Sequence, residues 1–128
     1  MKILFTVLFS ILVLGDRDRL VNSVWTHKIA DGCNNKLTFK PNGLVLEYDC
    51  EMDYAFHSKY ELDKDTLLIK GKDDSHSEDN GKVTSYWMTK YLIKNSGLYA
   101  IDSKELVNGK WKDRKIKVDK NPDYRRIK

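Results

Sequence analysis

A two-residue alternation of apolar and polar side chains constrains this chain more than any other feature. Between residues 53 and 62, Tyr54, Phe56, Tyr60 and Leu62 fall on one side, and His57, Lys59 and Glu61 on the other. Successive side chains of a β-strand point to opposite faces, so this pattern is that of a half-buried strand. The same alternation, or a short β-branched and aromatic run, recurs at residues 21–29, 36–40, 44–49, 66–70, 83–94, 98–102 and 110–118. Turn residues separate the runs. No amphipathic helical stretch of ten or more residues interrupts them. The chain is therefore expected to be all-β, an eight-stranded antiparallel meander. Exposed edges and a one-sided apolar face are liabilities, so such a meander must close or fold over. An up-and-down barrel is the simplest solution. An open half-barrel or a two-sheet sandwich is the alternative.

The hairpin around Pro41 carries the chain's two cysteines, Cys33 and Cys50. Lys40-Pro41-Asn42-Gly43 has the residue order of a type I turn. Leu37 and Phe39 on one arm, and Leu44, Leu46 and Tyr48 on the other, form the apolar faces. Pairing Phe39 with Leu44 and Leu37 with Leu46 places Cys33 opposite Cys50, and a disulfide is expected there. Further along, Asn108-Gly109 is a two-residue hairpin signal. It pairs Leu106 with Trp111 but leaves Ile101 and Ile116 on the opposite face. A bulge or break is therefore expected between Ser103 and Arg114.

The N-terminus reads as an export signal. One basic residue, Lys2, precedes the uncharged run Ile3 to Leu14. Gly15 follows at a plausible cut, and a charged stretch begins at Asp16. The apolar run is too short to span a membrane, and no other segment is expected to do so. Residues 1–15 are assigned as signal peptide, 16–120 as one domain and 121–128 as a basic C-terminal tail. An exported, periplasmic or extracellular location suits a disulfide. The formal net charge is +4, and from Lys110 to Lys128 nine Lys and Arg face three Asp. A solvated last strand and tail explain that excess, and export argues against a nucleic-acid partner.

Catalytic motifs are absent. No nucleophile elbow, phosphate-cradling glycine loop or redox-type cysteine pair occurs, and no cofactor is implied. His27, His57 and His76 are spread along the chain. The loop from Gly71 to Gly81 gathers Asp73, Asp74, His76, Glu78 and Asp79, but without the spacing of a calcium-binding EF-hand loop. It reads as a solvated acidic loop or a partner-binding one. Trp25, Tyr54, Phe56, Tyr60, Trp87 and Tyr91 occupy inward positions, where they line a ligand pocket or fill the core.

With a Trp at position 25 in its first strand, a meander of short hairpins and an export signal, the chain resembles the small bacterial lipocalin-like domains. Ser23-Val24-Trp25 stands where lipocalins carry Gly-x-Trp, so the glycine is missing. The resemblance implies an Arg late in the barrel covering that Trp, with Arg114 as the candidate. It also implies a closed barrel holding a small apolar molecule without catalysis. The alternative expectation is an envelope protein-interaction module, such as a lysozyme-type inhibitor acting through the acidic 71–81 loop.

Overall fold

The computed structural model describes residues 19–73, 85–116 and 120–128. The assigned signal segment, the loop residues Asp74, His76, Glu78 and Asp79, and Gly81 lie outside the described residues. Nine strands form one antiparallel sheet: β1 (Val24–Ala30), β2 (Cys33–Lys40), β3 (Leu44–Asp49), β4 (Tyr54–Asp63), β5 (Thr66–Lys72), β6 (Ser85–Lys94), β7 (Gly97–Val107), β8 (Lys110–Asp113) and β9 (Tyr124–Arg126). Strands β1 to β7 pair in sequence order. β9 then pairs with both β7 and β1, which closes an eight-stranded barrel. β8 hangs outside it on β7.

The strand count of the barrel is thus as expected, but its eighth member is not. The segment 110–118 was expected to close the sheet and 121–128 to trail away. Instead, β8 pairs only with Lys104 to Val107, and all four of its residues are exposed. Its ladder stops where the Arg114 amide donates to the Ser103 carbonyl. The chain returns at Pro122, which packs on Gly97 so closely that a Cβ there would lie 2.8 Å from the proline's. From that clamp, Asp123 N donates to Leu98 O at 2.7 Å and Ile127 N to Val24 O at 2.8 Å. The basic tail therefore contains a strand, in which Tyr124 is half-buried and Arg125 and Arg126 are exposed.

A second difference concerns register. Phe39 pairs with Val45 and Leu37 with Glu47, one residue away from the register that matches leucine to leucine. The loop is the cause. Lys40 pairs with Leu44, which leaves three residues in the connection, and Asn42 and Gly43 are both left-handed at φ 66° and 73°. A type I turn would hold its third residue near φ −90°. Because the side-chain period is two, the slip turns every residue of β3 over. Val45 is buried and Leu44 is 46% exposed. The Cys33–Cys50 disulfide forms nonetheless, with its Cα atoms 5.5 Å apart. Cys50 has left the ladder by then. It lies in a turn where Asp49 Oδ1 accepts from the amides of Glu51 and Met52, and where Cys50 N donates to Asn35 Oδ1.

The face conflict in β7 is resolved by a bulge at Ile101, two positions before the expected interval, and the β7–β8 ladder ends within it. Lys90 pairs with Asp102 and Tyr91 with Ala100, so Ile101 is the extra residue and points to solvent. Leu98 and Ala100 before the bulge, and Ser103 and Glu105 after it, all face inward. The break is the end of the β7–β8 ladder at Asp113.

The barrel interior is divided along its axis. At the end holding the 41–43, 64–65 and 95–96 turns, Trp25, Leu37, Phe39, Val45, Tyr60, Leu67, Ile69 and Leu98 form one closed apolar cluster. Leu20, ahead of β1, seals it from below and is 1% exposed. The Ser23 hydroxyl donates to Leu20 O and accepts from the Trp25 indole N–H at 2.9 Å, so the polar edge of the buried Trp is satisfied. Burying each large side chain in this plug contributes roughly 1.5–3 kcal/mol. Toward the other end the cross-strand rows change character. One runs Tyr60, Ile69, Thr89, Ser103, and a neighbouring one Gly71, Trp87, Glu105. Hydroxyls and carboxyls replace hydrocarbon as the rows reach β6 and β7, and the packing gives way to a cavity.

Candidate ligand cavity

The cavity has a volume of about 530 Å³. That lies within the range of small-molecule sites. Its aromatic lining is Tyr48, Phe56, Trp87, Tyr91 and Tyr124. Phe56 meets Trp87 edge-on at 5.2 Å, and Tyr91 meets Tyr124 edge-on at 6.1 Å. Between them stand Thr89 and Ser103, whose hydroxyls bond each other at 3.1 Å. Among the described residues five carboxylates reach the space, Glu47, Asp49, Asp73, Glu105 and Asp123, against two cations, Arg114 and Lys115.

Glu47 lies deepest. It sits on β3 opposite Leu37 and Phe56, directly above the plug, where the register slip places it. Its Oε2 accepts from the Ser58 hydroxyl and, at 3.0 Å, from the Trp87 indole N–H. Among the described residues both of its donors fall on Oε2, and the Glu47 side chain lines the cavity. Burial pushes the Glu47 carboxyl above its ordinary value, opposed by the bonds from Ser58 and Trp87 and by the charge of Arg114. Tyr91 and Tyr124 are pushed up as well, both chiefly by burial, Tyr91 then by Tyr124 beside it, and both by the Glu47 and Asp123 carboxylates.

Gly71 makes this arrangement fit. A Cβ at that position would lie 2.5 Å from Cε2 of the Trp87 ring. With only hydrogen there, the indole lies against the backbone of β5 and its N–H reaches Glu47 across the barrel. A glycine inside a strand often marks such a close approach.

The other acidic groups are more committed. Asp49 caps the 50–53 turn, and Asp123 Oδ2 accepts from Ala100 N at 2.7 Å. Glu105 lies 3.9 Å from the Arg114 guanidinium, a half-exposed pair of small energetic weight.

Of the aromatic residues expected to line a pocket, Phe56, Trp87 and Tyr91 do so. Trp25 and Tyr60 belong to the plug. Tyr54 stacks edge-on against Phe56 at 4.8 Å but is not part of the cavity wall. Asp73 of the acidic loop lines the cavity mouth. His57 is exposed on the outer face, and His27 lies 5.8 Å from the Tyr124 ring. Among the described residues no three metal-binding side chains converge. The role expected of Arg114 falls to Arg126, whose guanidinium stands 5.9 Å over the Trp25 ring. Arg114 lines the cavity instead. The polar residues Glu47, Ser58, Thr89, Ser103 and Tyr124 were not anticipated. Two of them had a signal: Ser58 interrupts the apolar face of β4, and Thr89 lies between Trp87 and Tyr91 on that of β6.

No family model matches the chain, no curated protein matches it in sequence, and no solved structure matches it. A functional reading therefore rests on this cavity and its chemistry.

Proposed function

We propose that this protein is a small exported barrel that binds a small molecule and performs no chemistry on it. One observation carries the reading: the barrel is packed solid at one end and holds a lined space of about 530 Å³ at the other. A domain of this size gains stability from every apolar group it buries, so a cavity walled by a desolvated carboxyl is a costly feature. A bound ligand offsets that cost. The lining changes the expected ligand from an apolar molecule to a polar one with an apolar or aromatic portion. The Arg126–Trp25 contact supports the lipocalin-like reading, and the disulfide is consistent with export.

Native mass spectrometry of the protein purified from its own host tests this. An adduct of small-molecule mass that survives gentle ionisation and is lost on unfolding is expected. Bare protein from every preparation, with the disulfide intact, would overturn the reading. In the same spectra a chain beginning at Asp16 is expected.

A further inference from the structure

Building on the reading of the cavity as a small-molecule site, we infer that its ligand is an organic cation, an ammonium group attached to an apolar or aromatic body. A carboxylate, that of Glu47, stands on the cavity wall where the wall meets the plug, with the Trp87 ring beside it. Among the described residues both donors to Glu47, Ser58 and Trp87, fall on Oε2, which leaves Oε1 for an incoming donor. Arg114 does not take that place, since its ion pair is with Glu105.

An anionic ligand would face a net excess of carboxylates around the cavity. A neutral ligand would gain nothing from a carboxylate held in a desolvated site. A metal ion would need several ligands on one point, and no such group converges among the described residues. An ammonium needs one buried charge-assisted partner and aromatic surface for the rest. Phe56, Trp87 and Tyr91 supply that surface within the same cavity. The remaining carboxylates, nearer the mouth, bias the field toward entry of a cation.

The Trp87 indole N–H, bonded to Glu47, is a direct reporter of the site. The experiment follows its ¹H–¹⁵N resonance in the full protein during titration with 2-phenylethylammonium, tryptammonium and 1,5-diaminopentane. The neutral 2-phenylethanol and the anion 3-phenylpropanoate are titrated alongside at matched ionic strength. At least one ammonium is expected to bind about tenfold more tightly than the neutral and anionic compounds. Glu47→Gln should abolish that preference. Glu61→Gln, which removes a charge from the outer surface, should leave it unchanged, and retained spectral dispersion in both variants shows that they fold. If the neutral or anionic compound binds as tightly as every ammonium, the cavity remains a ligand site and the cation inference falls. If no ammonium shifts the resonance, the inference falls too, and the adduct spectra alone then decide the binding reading.

Discussion

Placing a carboxyl inside a small barrel removes it from water, and the bonds from Ser58 and Trp87 return only part of that solvation. The sign of the consequence follows from linkage. In the unfolded chain Glu47 titrates near its ordinary 4.5, and in the folded barrel it titrates higher. The folded state therefore holds this proton more tightly. The group's contribution to stability is complete below that ordinary value and is lost as pH rises through the folded one. Glu47→Gln keeps an oxygen for both donors and removes the charge. It is expected to raise the melting temperature at neutral pH, corresponding to about 1 kcal/mol, and the gain should shrink as pH falls through the raised folded value and level off below the ordinary one. Calorimetric scans of both proteins across that range check it, and a gain that grows in acid would contradict it. Gly71→Ala tests the opposing wall. The added methyl meets the Trp87 ring at 2.5 Å, so the indole must move off Glu47. A loss of about 1–3 kcal/mol is expected from the overpacking. It should come with a displaced Trp87 indole N–H resonance, whereas a stable variant with that resonance in place would show that the ring has room.

The short strand β9 matters more than its three residues suggest, because among the described residues it alone bridges β7 and β1. Deleting 121–128 exposes both of those edges and removes Tyr124 from the barrel wall. Loss of the cooperative melt, or a fall of more than about 10 °C, is expected by circular dichroism, since about 4 °C accompanies each kcal/mol in a domain of this size. Trp111 is the contrasting control. It lies on β8 at 48% exposure, and Trp111→Ala should shift the melt by less than about 2 °C. The strands themselves were legible from period-two patterning and turn chemistry, as Asn108-Gly109 and Asn95-Ser96 show. At both, the paired positive φ values of a tight hairpin occur where expected. What misled was the use of hydrophobicity to set register. Leu44, Leu46 and Tyr48 outscore Val45, Glu47 and Asp49 on any apolar scale, yet a three-residue loop with Asn42 and Gly43 left-handed turns the second set inward. β9 was hidden for a related reason. Arg125 and Arg126 dominate its composition, while its contribution to the barrel is one tyrosine and a ladder of backbone bonds that carries no residue signature.

Across the whole molecule, stability and binding are separated along the barrel axis. The aromatic residues legible in the sequence divide between the two ends according to where the tilted cross-strand rows carry them. Tyr60 enters the plug, Trp87, on a strand farther around the barrel, reaches the cavity, and Tyr91 on that same strand belongs to both, packed in the core cluster and lining the cavity. Alternation alone shows which side chains point inward, but not at what height. The separation predicts that equal truncations at the two ends have unequal costs. Phe39 is 0% exposed and meets Trp25 and Tyr60 edge-on at 6.5 and 5.0 Å, so no solvent can fill the space it leaves. Phe39→Ala should cost about 3–5 kcal/mol. Thr89→Val, a change of one hydroxyl to a methyl on the cavity wall, leaves Ser103 facing open space where water can replace the lost bond. Its cost should stay within about 1 kcal/mol. Urea unfolding of both variants, compared at unchanged slope, measures the two costs on one scale. If Thr89→Val proves as costly as Phe39→Ala, the upper half of the barrel is as tightly built as the lower, and the division between scaffold and site does not hold. If the difference is as expected, changes to the cavity lining can alter the ligand while the plug keeps the barrel folded.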